Sequence, residues 1–239
     1  MLLSVSNSKT RKGEAHGWLT GIVHLAPAKL SGHNVCPMAS KGCARACLNT
    51  AGKGLFPHVQ AARIRRTKLL FSDRASFLFL LTEEITKLGI KAKKQGLKLA
   101  IRLNGTSDIM WERMGLIQQF PDVQFYDYTK IPSRLLGQLP SNYHLTFSRS
   151  ESNEEQAKLL SSLGHNIAVV FDKLPKTYMG KRVVSGDNTD LRFLDPKGVI
   201  VGLTAKGKGR NDESGFTVRT LPRPIKTNLV ELNNLKWDK

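Results

Sequence analysis

The sequence predicts an α/β protein with a mainly parallel sheet, arranged as a partial (βα) barrel. Short apolar runs at residues 97–103, 123–128, 143–148 and 166–171 recur at the spacing of βα units. Several are apolar throughout, as strands covered on both faces are. Most of the segments between them carry helical periodicity or helix caps. An open doubly wound sheet is the alternative arrangement of the same units.

Residues 18–25 read as the first strand, followed by a loop with Pro27, Gly32 and three cysteines. Residues 59–71 read as a helix. Its Ala62, Ile64, Leu69, Leu70 and Phe71 are available to a core, and its Arg63, Arg65, Arg66 and Lys68 to solvent or a partner. A second helix starts at a Ser72 or Asp73 cap and runs to about Lys94. Its Phe77, Leu80, Leu81, Ile85 and Leu88 recur at helical spacing. Helices are also expected over 108–120, 131–139 and 152–164, the last with acids in its first turn and Gly164 as its stop. A further strand falls at 198–203, and the stretch 172–196 breaks the rhythm. From Ala205 the chain is polar and Gly-rich and reads as mobile loop. The expectation is one domain over 1–204, with the cysteine loop at 36–47, and a loop and C-terminal tail over 205–239.

The net charge of +18 is uneven: residues 1–103 carry a net +14 and the remainder +4. A basic half of this kind attracts polyanions, so nucleic acid is the expected partner, with a generic solvated surface as the alternative. No apolar run reaches membrane-spanning length. Residues 1–13 place apolar residues before charges, the reverse of a secretory signal. Three clustered cysteines are an odd number and no disulfide framework, so a reducing, cytoplasmic compartment is expected.

Cys36, Cys43 and Cys47 are the chain's three cysteines, spaced C-x6-C-x3-C. Three thiols in one Gly/Ser/Lys-rich loop are a ligand set for a soft cation. Three thiolates suit a [4Fe-4S] cluster with one iron lacking a protein ligand. Zinc calls for a fourth ligand, with His33 or His58 nearest in sequence; unligated thiols are the third possibility. If residues 44–49 begin a helical turn, Cys43 and Cys47 share a face.

In parallel α/β folds active residues gather at the carboxyl ends of strands. Those positions hold Asn104, Gly105, Thr106, Ser107 and Asp108, then Thr129 and Lys130, then Ser148, Arg149 and Ser150, then Asp172 and Lys173. The 104–108 turn can offer N–H groups and hydroxyls to a carboxylate or phosphate; a helix cap with Asp108 on the dipole is the plainer reading. Ser185 to Asp190 reads as a turn before it reads as a cation loop. Lys206, Lys208 and Arg210 are either a phosphate clamp or a solvated loop. No nucleotide-binding P-loop, serine-hydrolase elbow or HExxH pattern is present.

Asn7-Ser8-Lys9-Thr10, Cys36-Pro37, Gly42-Cys43-Ala44, Phe125-Tyr126-Asp127-Tyr128-Thr129-Lys130 and Ser148-Arg149-Ser150 resemble the phage-encoded gene product 88 family of unknown function, over most of residues 1–205. Cysteines after a first strand, followed by βα units, also resemble the radical S-adenosylmethionine superfamily. That resemblance implies a [4Fe-4S] cluster held by Cys36, Cys43 and Cys47 at the mouth of a partial barrel, with the free iron binding the amine and carboxylate of S-adenosylmethionine. It further implies cofactor or substrate contacts from Asn104 to Asp108, Lys130, Ser148 and Arg149, with Asp108 in place of a motif glutamate. The superfamily's usual C-x3-C-x2-C spacing and its Gly-Gly-Glu motif have no literal match here. A phage origin implies the host cytoplasm. The competing expectation is a nucleic-acid-binding phage protein whose metal is structural.

Overall fold

The structure is a computed structural model and describes residues 1–5 and 12–220. The Asn7 to Thr10 motif and the tail beyond residue 220 lie outside the described residues.

In chain order the described strands are β1 (Leu3–Ser4), β2 (Trp18–Val23), β3 (Lys98–Arg102), β4 (Gln124–Thr129), β5 (Tyr143–Ser148), β6 (Ile167–Phe171), β7 (Thr177–Tyr178), β8 (Lys181–Ser185), β9 (Ile200–Thr204) and β10 (Thr217–Val218). The helices are α1 (Lys41–Arg45), α2 (Pro57–Ser72), α3 (Arg74–Lys94), α4 (Ser133–Leu136) and α5 (Glu154–Ser162). The sheet order is β1-β2-β3-β4-β5-β6-β9-β8-β7. Strands β2 to β6, β9 and β8 are all parallel; β1 and β7 close the two ends antiparallel. Strand β10 pairs with the carboxyl half of β6, at Val170 and Phe171, where β5 has already left the ladder at Ala168.

From β2 to β6 and on to β9 each strand adds on the same side of the last. Right-handed crossovers taken repeatedly in one direction put the connections on one face. The core agrees. Phe77, Leu81 and Ile85 of α3 pack with Leu19, Leu99, Ile101 and Phe125; Ala157 and Leu160 of α5 pack with Phe147, Ile167 and Val169. Tyr143, Leu145 and Phe147 alternate along β5 onto this shared face, joining the two clusters. A doubly wound sheet needs helices on both faces, and this arrangement departs from it. The opposite face carries Ala100 and Tyr126, covered by Leu191 and Phe193 from the segment after β8. The Phe193 ring meets Trp18 and Tyr126 edge-on, at 4.8 and 5.5 Å between centroids.

Most expected elements form within a few residues of the expected bounds. Asp73 caps α3, accepting the Ser76 N–H at 3.0 Å. The stretch 108–120 does not form the expected helix. It makes 3-10 turns at Trp111–Met114 and Ile117–Gln119, separated by Gly115 at φ 72°. The Asn104 Oδ1 accepts the Ile109 N–H and the Trp111 Nε1–H, and the Asp108 carboxylate turns to Lys130 and Arg134, so nothing local caps a helix there. In α2 the buried positions are Arg63, Thr67 and Leu70, while Phe71 is exposed, the reverse of the expectation for Arg63 and Phe71. The stretch 172–196 contains the β7–β8 hairpin. The segment from Ala205 packs through a 3-10 turn at Gly207–Asn211 and then β10, where mobile loop was expected. Among the described residues no helix is long and apolar enough to cross a membrane.

Candidate functional site

The cysteine loop leaves β2 and is tied down at both ends. The Ala26 N–H donates to Thr67 Oγ1 at 2.8 Å, and the Ala28 N–H points at Cys36 Sγ at 3.4 Å. Cys36 Sγ in turn lies 3.7 Å from the Thr106 carbonyl. Cys43 sits on α1, whose cap Ser40 accepts the Cys43 N–H at 3.0 Å. Glu151 anchors this turn from beyond β5: its two oxygens accept from the Ser40 hydroxyl and the Gly42 N–H, each at 2.8 Å. A Cβ on Gly42 would stand 2.7 Å from Glu151 Oε1 and 2.8 Å from Phe216 Cβ, so a side chain here would displace the Glu151 anchor. Helix α1 ends at Arg45, and Cys47 begins the next 3-10 turn, so the two cysteines do not share one helix. Buried Arg63 reaches back from α2 to hydrogen-bond Asn49, just after Cys47.

All three cysteines line one cavity of about 330 Å³ at the carboxyl ends of β3, β4 and β5. Asn104, Gly105, Thr106, Ser107, Asp108, Lys130 and Ser148 line the same cavity. Arg149 does not. Its guanidinium turns to the Phe216 and Gly215 carbonyls, at 3.2 and 2.5 Å, and to Glu154 at 2.5 Å, where it fastens the segment leading into β10.

The 104–108 turn is held from behind, and most of its donors are already engaged. The Gly105 N–H donates to the Val23 carbonyl, the Thr106 hydroxyl to the Leu25 carbonyl and the Asp108 N–H to the Val35 carbonyl. The Asn104 N–H donates to Asp127 at 2.6 Å. It is therefore not the open nest of N–H groups that an anion site at this turn calls for. The Asp108 oxygens accept from the Lys130 N–H and from Arg134, at 2.7 and 2.8 Å. A Cβ on Gly105 would meet His24 Nδ1 at 2.5 Å and the Val23 carbonyl at 2.6 Å. Gly105→Ala is expected to lower stability by about 1–3 kcal/mol, as overpacking against backbone does, and urea denaturation measures it.

Behind the turn, Asp127 is fully buried and also accepts from the Tyr143 hydroxyl at 2.8 Å. Burial pushes its carboxyl up to about 7, above the roughly 3.9 of an unfolded chain. Its contribution to stability is fully present below about pH 4 and is lost as pH rises through about 7. His144 runs the other way. Burial, and then Arg192, push it down to about 4, so its contribution is lost as pH falls through that value. Asp127→Asn removes the first linkage and keeps the second. Its stability deficit against the parent chain should therefore be larger at pH 5 than at pH 8, and equal deficits would show that the Asp127 carboxyl does not titrate in this range.

Burial pushes all three cysteine thiols up, Cys36 to about 12. Lys130 faces them. Its Nζ donates to the Ser148 hydroxyl at 2.7 Å and to the Ser148 and Arg149 carbonyls at 3.2 and 3.4 Å. Burial pushes Lys130 down, opposed first by Cys43 and then by Asp108, Glu151 and Cys36.

The cavity floor was not expected. Arg102 pairs with Asp190 at 2.9 Å and lies over the Tyr128 ring, 4.7 Å from its centroid. At the mouth, Lys12 donates to the Asp187 carbonyl at 2.5 Å and Lys206 pairs with the Asp187 carboxylate at 2.7 Å. The 185–190 stretch is therefore a turn whose two acids are taken by Lys206 and Arg102. Among the described residues, no three His, Cys, Asp or Glu side chains are gathered to hold a metal ion. His33 stacks on Phe71 at 4.3 Å and His58 on Phe56 at 5.6 Å, and neither lines the cavity.

A family model described as Gene product 88 matches residues 1–220. The chain is similar to the Gene 88 protein of Mycobacterium phage D29, 28% identical over 146 residues, which cover 56% of this chain and 60% of the relative. The match thus spans less than two thirds of that relative's length. No solved structure matches. With the family model spanning almost the whole sequence, the chain belongs to the Gene product 88 family.

Proposed function

We propose that the chain is an iron–sulfur protein of the radical S-adenosylmethionine type, built on a partial (βα) barrel and acting on an anionic substrate in the host cytoplasm. The observation that carries this reading is the shared cavity: Cys36, Cys43 and Cys47 line it together with Lys130 and the 104–108 turn, at the carboxyl edge of consecutive parallel strands. Three thiols on one cavity wall are the donor type that a [4Fe-4S] cluster takes. One zinc ion needs four ligands drawn to about 2.0–2.3 Å from a single point, and neither His33 nor His58 supplies the fourth. A cluster takes each thiolate on a different iron, so its ligands stand further apart. When bound, the cluster supplies one-electron reduction of S-adenosylmethionine.

The chain's own residues have distinct tasks in this reading. Cys36, Cys43 and Cys47 hold the cluster. Lys130 places a cation beside the thiolates. Asn104 to Asp108 and Ser148 form the wall that the cofactor meets, and Asp127 and Arg134 keep that wall in place from behind. The Lys12, Asp187 and Lys206 contacts draw three segments together over the mouth.

The test is anaerobic purification with metal and sulfide analysis. About four iron and four sulfide per chain are expected, falling to near zero in Cys36→Ser, Cys43→Ser and Cys47→Ser variants. Zinc without sulfide would favour a structural metal and sink the proposal. Adding S-adenosylmethionine should change the EPR spectrum of the reduced cluster, and an unchanged spectrum would remove the cofactor from the reading.

A further inference from the structure

One stretch of the sequence carries much positive charge and no acid. No Asp or Glu occurs between Glu14 and Asp73, while Lys29, Lys41, Arg45, Lys53, Arg63, Arg65, Arg66 and Lys68 fall inside that interval. The cysteine loop lies within it. Lys41 and Arg45 flank Cys43 on α1, and both are exposed. The turn after Cys47 packs against the Gly207–Asn211 turn: a Cβ on Gly207 would lie 2.7 Å from the Thr50 carbonyl. Exposed Lys208 and Arg210 therefore stand on a turn packed beside the one that leads to exposed Lys53.

Apolar groups stand among these cations. Leu48 is 45% exposed and lines the cavity, and Phe56 is 50% exposed in the connection that leads into α2. The Phe56 ring is stacked on exposed His58. Tyr128 and Arg102 also line the cavity. The Tyr128 hydroxyl and the Arg102 Nε are buried and have no hydrogen-bond partner among the described residues.

We propose that the cavity and the cationic turns beside it bind single-stranded nucleic acid, with the backbone on Lys41, Arg45, Lys53, Lys208 and Arg210, a base on Phe56, and one base turned inward toward Tyr128. The chemistry selects a single strand over a duplex. A duplex keeps its bases stacked and offers an exposed Phe56 nothing to stack on, whereas single strands are bound by cationic tracks interleaved with aromatic rings. An anionic membrane also matches the lysines and the exposed Leu48 and Phe56, and the vesicle arm of the test separates the two. A nucleobase has a flat π-face that stacks on an aromatic ring. The inference deepens the iron–sulfur reading by naming its substrate class, and it rests on that reading for the chemistry done in the cavity.

Fluorescence anisotropy of the full chain tests it, with a labelled mixed-sequence single strand, the matched duplex and phosphatidylserine vesicles as probes. The single strand is expected to bind at least about tenfold tighter than the duplex. Phe56→Ala should weaken binding about 5- to 100-fold without changing the salt slope. The pair Lys208→Ala and Arg210→Ala should make the log–log salt slope shallower by about 1.4. These side chains are exposed, and a melting curve checks that each variant is folded. Equal affinity for duplex and single strand, a Phe56→Ala variant that binds normally, or vesicle binding in place of oligonucleotide binding would each overturn the proposal. Repeating the titration with Cys43→Ser separates the two readings. Oligonucleotide binding without iron removes the cluster alone, and iron without oligonucleotide binding removes the substrate class alone.

Discussion

Replacing Arg134 with methionine is expected to destabilise the fold by about 3–5 kcal/mol, the loss typical when one partner of a buried ion pair is removed. The Arg134 side chain is 1% exposed and serves three acceptors. It pairs with Asp108 at 2.8 Å, takes Glu112 with both Nε and one terminal nitrogen at 2.9 Å, and donates to the Tyr143 hydroxyl at 2.8 Å. Without it, two nearly buried carboxylates lose their cation, and Tyr143 loses the donor that orients its own bond to Asp127. Arg134→Lys should recover little, because an ammonium cannot span Asp108 and Glu112 in a planar fork. Pairing Arg134→Met with Glu112→Met should restore part of the loss, since it removes a stranded charge along with its partner. Urea denaturation gives the values. A single variant within about 1 kcal/mol of the parent chain would show that this network does not hold the 104–108 turn, and the account of that wall would fail.

The same network shows where sequence reading reached its limit. Strand positions were legible because apolar runs with period two and helices with period 3.6 are local patterns, and α3, β3, β5 and β6 declare themselves within a few residues. The cysteine spacing marked a loop that lines a cavity, and strand ends named most of the residues that share it. What stayed hidden depends on contacts between distant segments. Glu151 anchors Ser40 and Gly42 across more than a hundred residues, and nothing near Glu151 marks it as the support of a cysteine turn. Asp190 holds Arg102 from a stretch that reads as an ordinary turn. The 108–120 stretch has the composition of a helix, yet the Asn104 and Asp108 side chains draw its first residues into other bonds. Arg149 stands at a strand end like the true cavity residues, but its carbonyl and Glu154 partners turn it away. Strand position predicts where a residue sits, and its partners decide which way it points.

Lys130 is where stability and the proposed function should separate most sharply. It is a buried cation, and among the described residues its Nζ bonds to two carbonyls and a hydroxyl with no carboxylate at ion-pair distance. A charge held this way is costly to bury. Lys130→Met keeps most of the length of the side chain and removes the charge. The metal-free protein is therefore expected to melt at the same temperature as the parent or above it. Iron binding should respond in the opposite direction. Three thiolates on a [4Fe-4S] core make a net anion in a site where burial already opposes charge on Cys36, Cys43 and Cys47, and Lys130 is a compensating cation for Cys43. Loss of such a neighbour in a metal site typically lowers affinity about 10- to 100-fold. Iron retention during dialysis against a chelator measures this, alongside the melting curve of the metal-free chain. Lys130→Arg, which keeps the charge on a bulkier head, should recover part of the iron retention even where the melt falls. If Lys130→Met both melts early and keeps its iron, Lys130 is a strut for Ser148, and the cation opposite the cysteines has no part in holding a cluster.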